Sequence, residues 1–520
     1  MHLYRSLFAL VLLVSVNAYR ILLVYPLPLR SLNKLGEGFA RHLLNAGHEV
    51  TFVTHYPVKT VTDNLRQIDL SSNIVEMSDN YTFTIRSVMN SEAVVNDVKV
   101  LQDYAIINSI ASLGHKNFKE LLEDTNQSFD AVLVDYYEIE IYASIASLYD
   151  CPMIWATSMG PHWQALRLID QPSNPAYTAD YLSSNNAPFT FRQRVEELWA
   201  QIKWNWLKWT YTLPKEKETF ENIFRPLFEK RGKSLPDYNT LLYNVSLMFS
   251  NDHSTFGGVP SIPQSMKLIG GYHIEHPPKP LPKDLQQLMD NAKHGVIYFS
   301  MGSIWRSKDF PKSTIEDLLK VFGKLQQIVI WKFEDDLSNV PANVKIMKWA
   351  PQPSILYHPN CVVFVTHGGL LSSTESIHFG VPIIGIPIFF DQFLNINKAA
   401  SNGYAIRVPL NYELPKNLEV AIQTMLSDPK YKKLAKDFSS IYHHRPLPPG
   451  KEAVHWIEHV IKTGGAIHLR SPALNVPFYQ KFYLDLTAIL FFIIFMFSKI
   501  VKVMLSRKYS DLKGIKEKNN

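Results

Sequence analysis

The sequence predicts an α/β protein of two tandem doubly wound halves, followed by one membrane-spanning helix. Three observations predict it. Short apolar, β-branched runs alternate with helical stretches from Arg20 onward. That rhythm stops at a Pro-rich run, His276-Pro-Pro-Lys-Pro-Leu-Pro282, and starts again beyond it. Near the C-terminus, a mostly apolar stretch runs from Phe482 to about Val501 and is followed by basic residues.

Met1 to Ala18 carries one early Arg5, an apolar core from Leu7 to Val16 and a small-residue exit at Val16-Asn17-Ala18, the pattern of a secretory signal peptide. Arg20-Ile-Leu-Leu-Val-Tyr25 then reads as a buried strand, Leu35 to Ala46 as a helix closed by Gly47, and Glu49 to Thr54 as a second strand. Asp130 to Asp135 and Pro152 to Thr157 continue the same sheet. Between Ser158 and Tyr243 the chain is rich in aromatics, and Trp199, Trp204, Trp206 and Trp209 crowd one helical stretch. Core packing or a membrane-facing surface accounts for most of these, with a few left to line an apolar pocket. Three sequons, at Asn80, Asn126 and Asn244, agree with a lumenal body. The two cysteines, Cys151 and Cys361, each precede an apolar run and are expected to be free, packed thiols.

In the second half, Gly295 to Ser300 and Gln327 to Lys332 read as strands, with a glycine turn at Met301-Gly-Ser303. Cys361 to Thr366 is a further buried strand. His367-Gly-Gly369 follows as a tight turn, and Ser372 to Phe379 as a helix stopped by Gly380. A strand, a glycine turn and a helix N-terminus make an anion site, because unpaired backbone N–H groups and the positive end of the helix dipole face whatever sits there. A diphosphate fits that turn. Glu375, one turn into the helix, can accept hydrogen bonds from ribose hydroxyls, and Asp391-Gln392, past the strand Pro382 to Pro387, suits the vicinal hydroxyls of a sugar. Lys451 to Ile461 reads as a later helix, and a basic tail follows the apolar span, which puts the tail on the cytosolic side.

This stretch resembles the signature of the UDP-glycosyltransferases, met here at Thr366, His367, Gly369, Ser372, Glu375, Pro382, Pro387, Asp391 and Gln392. The resemblance extends to Phe299–Ser303, to Trp349-Ala-Pro-Gln352 and to 464–472, and so covers nearly the whole chain. It implies the GT-B fold: two facing Rossmann-like domains with a cleft between them, the acceptor site in the first and the nucleotide-sugar site in the second. The expected layout is a signal peptide at 1–18, an acceptor domain at 19–275, a linker at 276–284, a UDP-sugar domain at 285–445, a helix and connector at 446–481, a transmembrane helix at 482–504 and a cytosolic tail at 505–520. The donor site it implies comprises Ser303, Trp349, Gln352, His367, Gly369, Ser372, Glu375, Asp391 and Gln392. Trp349 would stack on uracil, Gln352 would bond the ribose or base, and Ser303 would bond phosphate. No metal and no cofactor beyond the UDP-sugar co-substrate is expected; Glu334-Asp335-Asp336 reads as a solvated loop.

The family uses a histidine in the first βα loop as general base, oriented by an aspartate. The aspartate matches Asp135. The histidine precedes a Gly-His-Glu-Val-Thr run, here 47–51, by a fixed interval that lands on Leu32, and there is no His between Tyr19 and Arg41. Losing such a base costs roughly 10²–10⁴-fold. Transfer that survives, through Asp135 directly, through another residue or through an acceptor that needs little activation, stands ahead of a UDP-sugar-binding pseudoenzyme or a carrier of a lipophilic ligand. His42 and His55 are weak substitutes. UDP-glucose is expected ahead of UDP-glucuronate, the acceptor is a small lipophilic hydroxyl compound, and the role is detoxification. Homo- or hetero-oligomerisation is left open. Lys516 and Lys518 have the spacing of a dilysine retrieval signal, which makes the chain a type I protein of the endoplasmic reticulum membrane.

At 520 residues, with 46% apolar and 19% charged residues, the chain is globular and long enough for two or three domains. Its net charge of +6 lies largely in the tail and does not indicate nucleic acid. His455-Trp-Ile-Glu458-His459 matches a short zinc-protease pattern, but with no third ligand identifiable, helix-surface residues are the better account.

Overall fold

The computed structural model describes residues 18–59, 62–74, 84–92, 96–170, 172–258 and 260–518, so Asn80 and all but the last residue of the expected signal peptide lie outside the described residues. The chain forms two compact units, one ending at Arg470 and one starting at Ser471.

The first unit holds two parallel sheets. One has strands β1 (Arg20–Val24), β2 (Glu49–Thr54), β3 (Leu65–Asp69), β4 (Ala131–Tyr136), β5 (Met153–Thr157), β6 (Leu247–Ser250) and β7 (Met266–Leu268) in the order β3-β2-β1-β4-β5-β6-β7. The other has β8 (Val296–Ser300), β9 (Ile328–Lys332), β10 (Val344–Met347), β11 (Cys361–Thr366), β12 (Ile383–Gly385) and β13 (Ala405–Arg407) in the order β10-β9-β8-β11-β12-β13. Both orders reverse next to the first strand, as in doubly wound folds, whose ligands bind beyond the carboxyl ends of the strands at that switch. β1, β2, β4, β5, β8, β9, β11 and β12 fall where the apolar runs predict them. β3, β6, β7 and β13, which lie at or next to a sheet edge, do not stand out in the sequence.

The inner strands read as unbroken apolar runs because both faces are covered. On β1, Ile21 and Leu23 enter one core while Leu22 and Val24 enter the other. On β8, Ile297 and Phe299 face one core, and Val296 and Tyr298 the opposite one.

Three departures from the sequence reading matter for the site. Helix α1 (Arg30–Asn45) begins five residues before the expected Leu35, so Leu32 sits in its first turn and not in a loop. The extended run after β1 ends at Pro26 and Pro28, and Asn33 N–H already bonds the Leu29 carbonyl at 3.0 Å. The short helix Ile85–Met89 leaves its own half and buries both named residues in the core of the second. Helix α6 (Pro449–Lys462) packs Ala453, Ile457 and Val460 against the α1–β1 core, so the C-terminal end of the first unit crosses back onto the first half. Pro449 occupies its first turn, where a missing N–H costs nothing.

Helix α2 (Phe191–Leu207) carries most of the tryptophan-rich stretch. Trp204 is buried edge-on against Trp163, 5.0 Å between ring centroids, whereas Trp199, Trp206 and Trp209 are 63%, 66% and 76% exposed. The core therefore accounts for one of the four. Cys151 and Cys361 are both free thiols. Asn126 and Asn244 are exposed.

In the second unit, helix α7 (Leu484–Lys518) contains a segment, Leu484–Tyr509, long and apolar enough to cross a membrane. It starts two residues later than expected, after a turn at Phe482-Tyr483, and its helical backbone continues through the basic tail to Lys518.

Candidate active site

The carboxyl ends of the two sheets meet at a cleft open to solvent. The second half builds one wall. β11 delivers His367, and Gly368, with φ of +84°, turns the chain into helix α4 (Leu370–Phe379). The helix starts two residues before the expected Ser372 because Gly369 is its N-cap: the Ser373 N–H bonds the Gly369 carbonyl at 3.0 Å. The first-turn N–H groups, which have no partner within a helix, thus lie beside the lining residues Gly369, Leu370, Leu371 and Ser372. The His367 ring is clasped by two glycines. A Cβ on Gly302, whose φ is +83°, would fall 2.5 Å from His367 Cε1, and one on Gly369 2.6 Å from Nε2. Burial, with the Lys332 charge beside it, lowers the His367 pKa to about 4, so the ring is neutral at physiological pH.

Helix α3 (Gln352–Tyr357) starts at the cleft. The Gln352 amide donates to Ser372 Oγ at 3.1 Å and to Glu375 Oε2 at 2.7 Å, while Tyr298 donates its hydroxyl to Gln352 Oε1 at 3.3 Å. Three of the expected donor residues are thus one bonded group drawn from two helices. Burial alone would raise the Glu375 pKa; neighbouring His273, Lys34 and the Gln352 amide bring it below the ordinary value, so Glu375 is a carboxylate. His273 Nε2 lies 3.7 Å from Glu375 Oε1. Trp349 is 55% exposed, an indole face open to the cleft.

Asp391 and Gln392 stand at the start of helix α5 (Gln392–Ser401). Gln392 Oε1 accepts from the N–H groups of Ile388, at 2.9 Å, and Phe389, at 3.3 Å, which commits its carbonyl end to the loop and leaves its amide NH₂ as the donor end. Asn395 donates to Asp391 Oδ2 at 2.9 Å. Burial raises the Asp391 pKa to about 6.

All nine expected donor residues, Ser303, Trp349, Gln352, His367, Gly369, Ser372, Glu375, Asp391 and Gln392, line this one cleft. Asp335 and Asp336 pair instead with lysines, Lys308 at 3.3 Å and Lys348 at 3.7 Å, on a separate loop. Glu458, of the His-x-x-Glu-His run, pairs with Lys462 at 2.7 Å and with His48 at 3.3 Å. Among the described residues no cluster of three or more His, Cys, Asp or Glu side chains could hold a metal ion.

The first half builds the facing wall, and it differs from expectation. Leu32 lines the cleft from α1. Asp135 does not. β4 ends one residue later, and it is Tyr137, beyond that end, that reaches the cleft. Asp135 lies behind the wall, 2% exposed, with neither carboxylate oxygen hydrogen-bonded, and burial pushes its pKa well above the ordinary carboxylate range. His42 bonds the Tyr272 carbonyl at 2.8 Å, His55 is buried, and neither lines the cleft.

The sequence reading missed Lys34, Tyr137, Lys332, Phe389 and Phe390 as lining residues. Lys34, on α1, holds its Nζ 5.7 Å from the Trp349 ring centroid and so reaches across to the donor wall. Phe390 stacks on Tyr137, 5.8 Å between centroids and 11° between planes, and its N–H bonds Asn96 Oδ1 at 2.9 Å, another link between the halves. Phe389-Phe390 adjoin Asp391, a signal that was available. Lys34 and Tyr137 carried none.

Comparison with known proteins decides the family. A model described as "UDP-glucoronosyl and UDP-glucosyl transferase" matches residues 38–519. The chain belongs to the UDP-glycosyltransferase family. As a UDP-glycosyltransferase it is 32% identical over 522 residues to "UDP-glucosyltransferase 2" of Dactylopius coccus, covering 98% of each chain. It is 30% identical over 380 residues to "UDP-glucuronosyltransferase 2B10" of Homo sapiens, covering 72% of this chain and 69% of that one. Its GT-B fold is shared with a UDP-glucosyltransferase from Polygonum tinctorium, at a TM-score of 0.55 and 13% identity over 86% of this chain and 99% of that one. The glycosyltransferase VinC, solved in complex with DTDP, gives a TM-score of 0.53 at 16% identity over 86% of this chain and all of that one. The chain is a glycosyltransferase enzyme with one candidate C-terminal membrane span.

Proposed function

We propose that this enzyme transfers glucose from UDP-glucose, with inversion and without a metal, to a small lipophilic acceptor. The observation that carries the reading is the convergence of the nine expected donor residues, from separate strands, turns and helices, on one cleft. Uracil stacks on Trp349, the ribose hydroxyls donate to Glu375 beside Gln352, and the diphosphate sits at the N-terminus of α4 with His367 and Ser303. Asp391 and Gln392 take the hydroxyls of the sugar. As the bond from the anomeric carbon to the diphosphate breaks, the charge that develops on UDP meets preorganised N–H groups and the helix dipole, so no metal is needed. Glucose comes ahead of glucuronate because Asp391 is an acceptor for hydroxyls and repels a second carboxylate.

Leu32 occupies the wall where the family's base is expected, and Asp135 lies behind it. A pseudoenzyme that binds UDP-sugar or a lipophilic ligand is the second reading, favoured by that same wall. The body is proposed to be lumenal in the endoplasmic reticulum and glycosylated, with a type I topology.

The test is UDP release and product formation by the membrane-bound enzyme from UDP-glucose and from UDP-glucuronate, beside UDP binding by calorimetry. Transfer from UDP-glucose supports the enzyme reading. UDP binding without transfer to any acceptor supports the pseudoenzyme, and absence of UDP binding sinks both.

A further inference from the structure

We infer that the outer side of α2 is a membrane-docking surface, which lies in the interface of a zwitterionic bilayer and is separate from the candidate span. Phe191, Val195, Leu198, Ile202 and Trp206 recur every three or four residues along α2, which puts them on one side of the helix. Trp199 adjoins that side, and Trp209 extends it into the π turn Lys208–Thr212 that follows. All of these side chains are exposed.

A surface helix of a globular domain turns its apolar stripe toward the core. Here α2 is held the other way round. Its inward side is Glu197 and Trp204, and the π turn adds Lys208; all three are buried. Glu197 accepts from the Asp180 N–H at 2.7 Å and from the Asn185 amide at 2.8 Å. Lys208 donates to the Glu138 carbonyl at 3.0 Å and pairs with Glu140 and Glu216. Rolling the helix to bury the stripe would pull Glu197 and Lys208 from these partners and leave buried carboxylates without their cation, which is strongly destabilising. The outward stripe is therefore fixed by buried polar contacts.

The residue types identify what covers it. Three indoles and a phenyl ring along one helix match a membrane interface, where the rings sit among acyl chains and each indole N–H meets the headgroup layer. The charges at the rim are largely matched. Arg192 pairs with Glu196 at 2.8 Å and Lys203 with Asp97 at 3.8 Å, while Arg194 lies over the Phe191 ring, 5.8 Å from its centroid. Such a rim suits zwitterionic headgroups, and the attraction comes from apolar area. The chain also brings its own bilayer: Leu484–Tyr509 is long and apolar enough to cross one, which keeps the body beside a membrane. The inference rests on neither the donor nor the acceptor.

The experiment reconstitutes the full-length enzyme in nanodiscs of three lipids: plain phosphatidylcholine, and phosphatidylcholine brominated near the headgroup end or near the methyl end of its acyl chain. Bromine quenches the emission of an indole it touches. Neither the candidate span nor the tail contains a tryptophan, so the emission comes from the body. Trp155, Trp163, Trp204, Trp305 and Trp331 are buried and Trp456 is half-buried, which leaves Trp349 in the cleft and the three on the stripe. The expected result is quenching that is stronger with bromine near the headgroup than near the methyl end. It should be lost in the Trp199→Gln, Trp206→Gln, Trp209→Gln triple variant, with the melting curve unchanged. The wild-type series and the single variant Trp206→Gln, in which quenching should be reduced, stand if the triple variant fails to fold. Equal emission in all three lipids overturns the inference. So does quenching that persists in the folded triple variant, or that is stronger at the methyl end. Two copies per nanodisc that become one in the variant, without quenching, would make the stripe a contact between copies and overturn it as well.

Discussion

The two walls of the cleft were built by the same kind of architecture and differ in how they meet their ligand. The wall from the second half is short-range: β11, the His367–Gly369 turn and α4 are contiguous, and Gln352 ties α3 to them through Ser372 and Glu375. Its polar groups are paired with one another while still lining the cleft. The wall from the first half is assembled from three separate segments: the start of α1, the residue after β4, and Ser158-Met159 after β5. Its expected acid is buried behind it with both oxygens unbonded. One wall is preorganised for a defined polar ligand. The other, among its described lining residues, offers charge and apolar surface.

That comparison breaks most readily at the glycines holding His367. Gly302→Val puts a branched side chain at a φ of +83° and into the His367 ring. UDP affinity should fall by roughly 10²-fold, from backbone strain of order 1–3 kcal/mol plus the displaced ring. Leu32→Ala, on the facing wall, should leave UDP affinity within about twofold, and calorimetry on both decides whether the walls act separately. Next, Gln352→Ala removes hydrogen bonds to Ser372 and Glu375, leaves the carboxylate less supported, and should weaken UDP by about tenfold.

Asp135→Asn sharpens the contrast from the other side. The folded-state pKa of Asp135 is raised, so its contribution to stability is complete at low pH and is lost as pH rises toward that value. The asparagine variant should therefore be more stable than wild type at pH 8, by about 2 °C or more in Tm, with the gain shrinking toward pH 4. A loss of stability at pH 8 would show that the carboxylate is charged and paired.

The smallest effect concerns Asp391, whose pKa burial raises to about 6. On the proposed reading sugar hydroxyls donate to its ionised form, so the KM for UDP-glucose should rise severalfold as pH falls below about 6, and Asp391→Asn should remove that rise.

Composition, hydropathy and turn chemistry determined the two α/β halves, the apolar C-terminal helix and the glycine turn at His367–Gly369, whereas Ser303, Trp349 and Gln352 were expected only from the family resemblance. Those patterns sufficed because parallel strands buried on both faces are continuous apolar runs, and because an anion turn is written in adjacent residues. The facing wall was not legible in this way. Whether Asp135 or Tyr137 reaches the cleft depends on where β4 ends: the strand runs on to Tyr136, so Asp135 stays inside the sheet and Tyr137 is the first residue past its end. Lys34 meets Trp349 only because two domains close on each other, and α6 returns to the first half by packing that no local pattern records. Of four neighbouring tryptophans, one is buried and three are exposed, a division set by what lies next to α2. Local chemistry is carried by neighbours in sequence and can be read there; the partners of a buried carboxylate or an exposed indole come from distant segments, and only the folded chain supplies them.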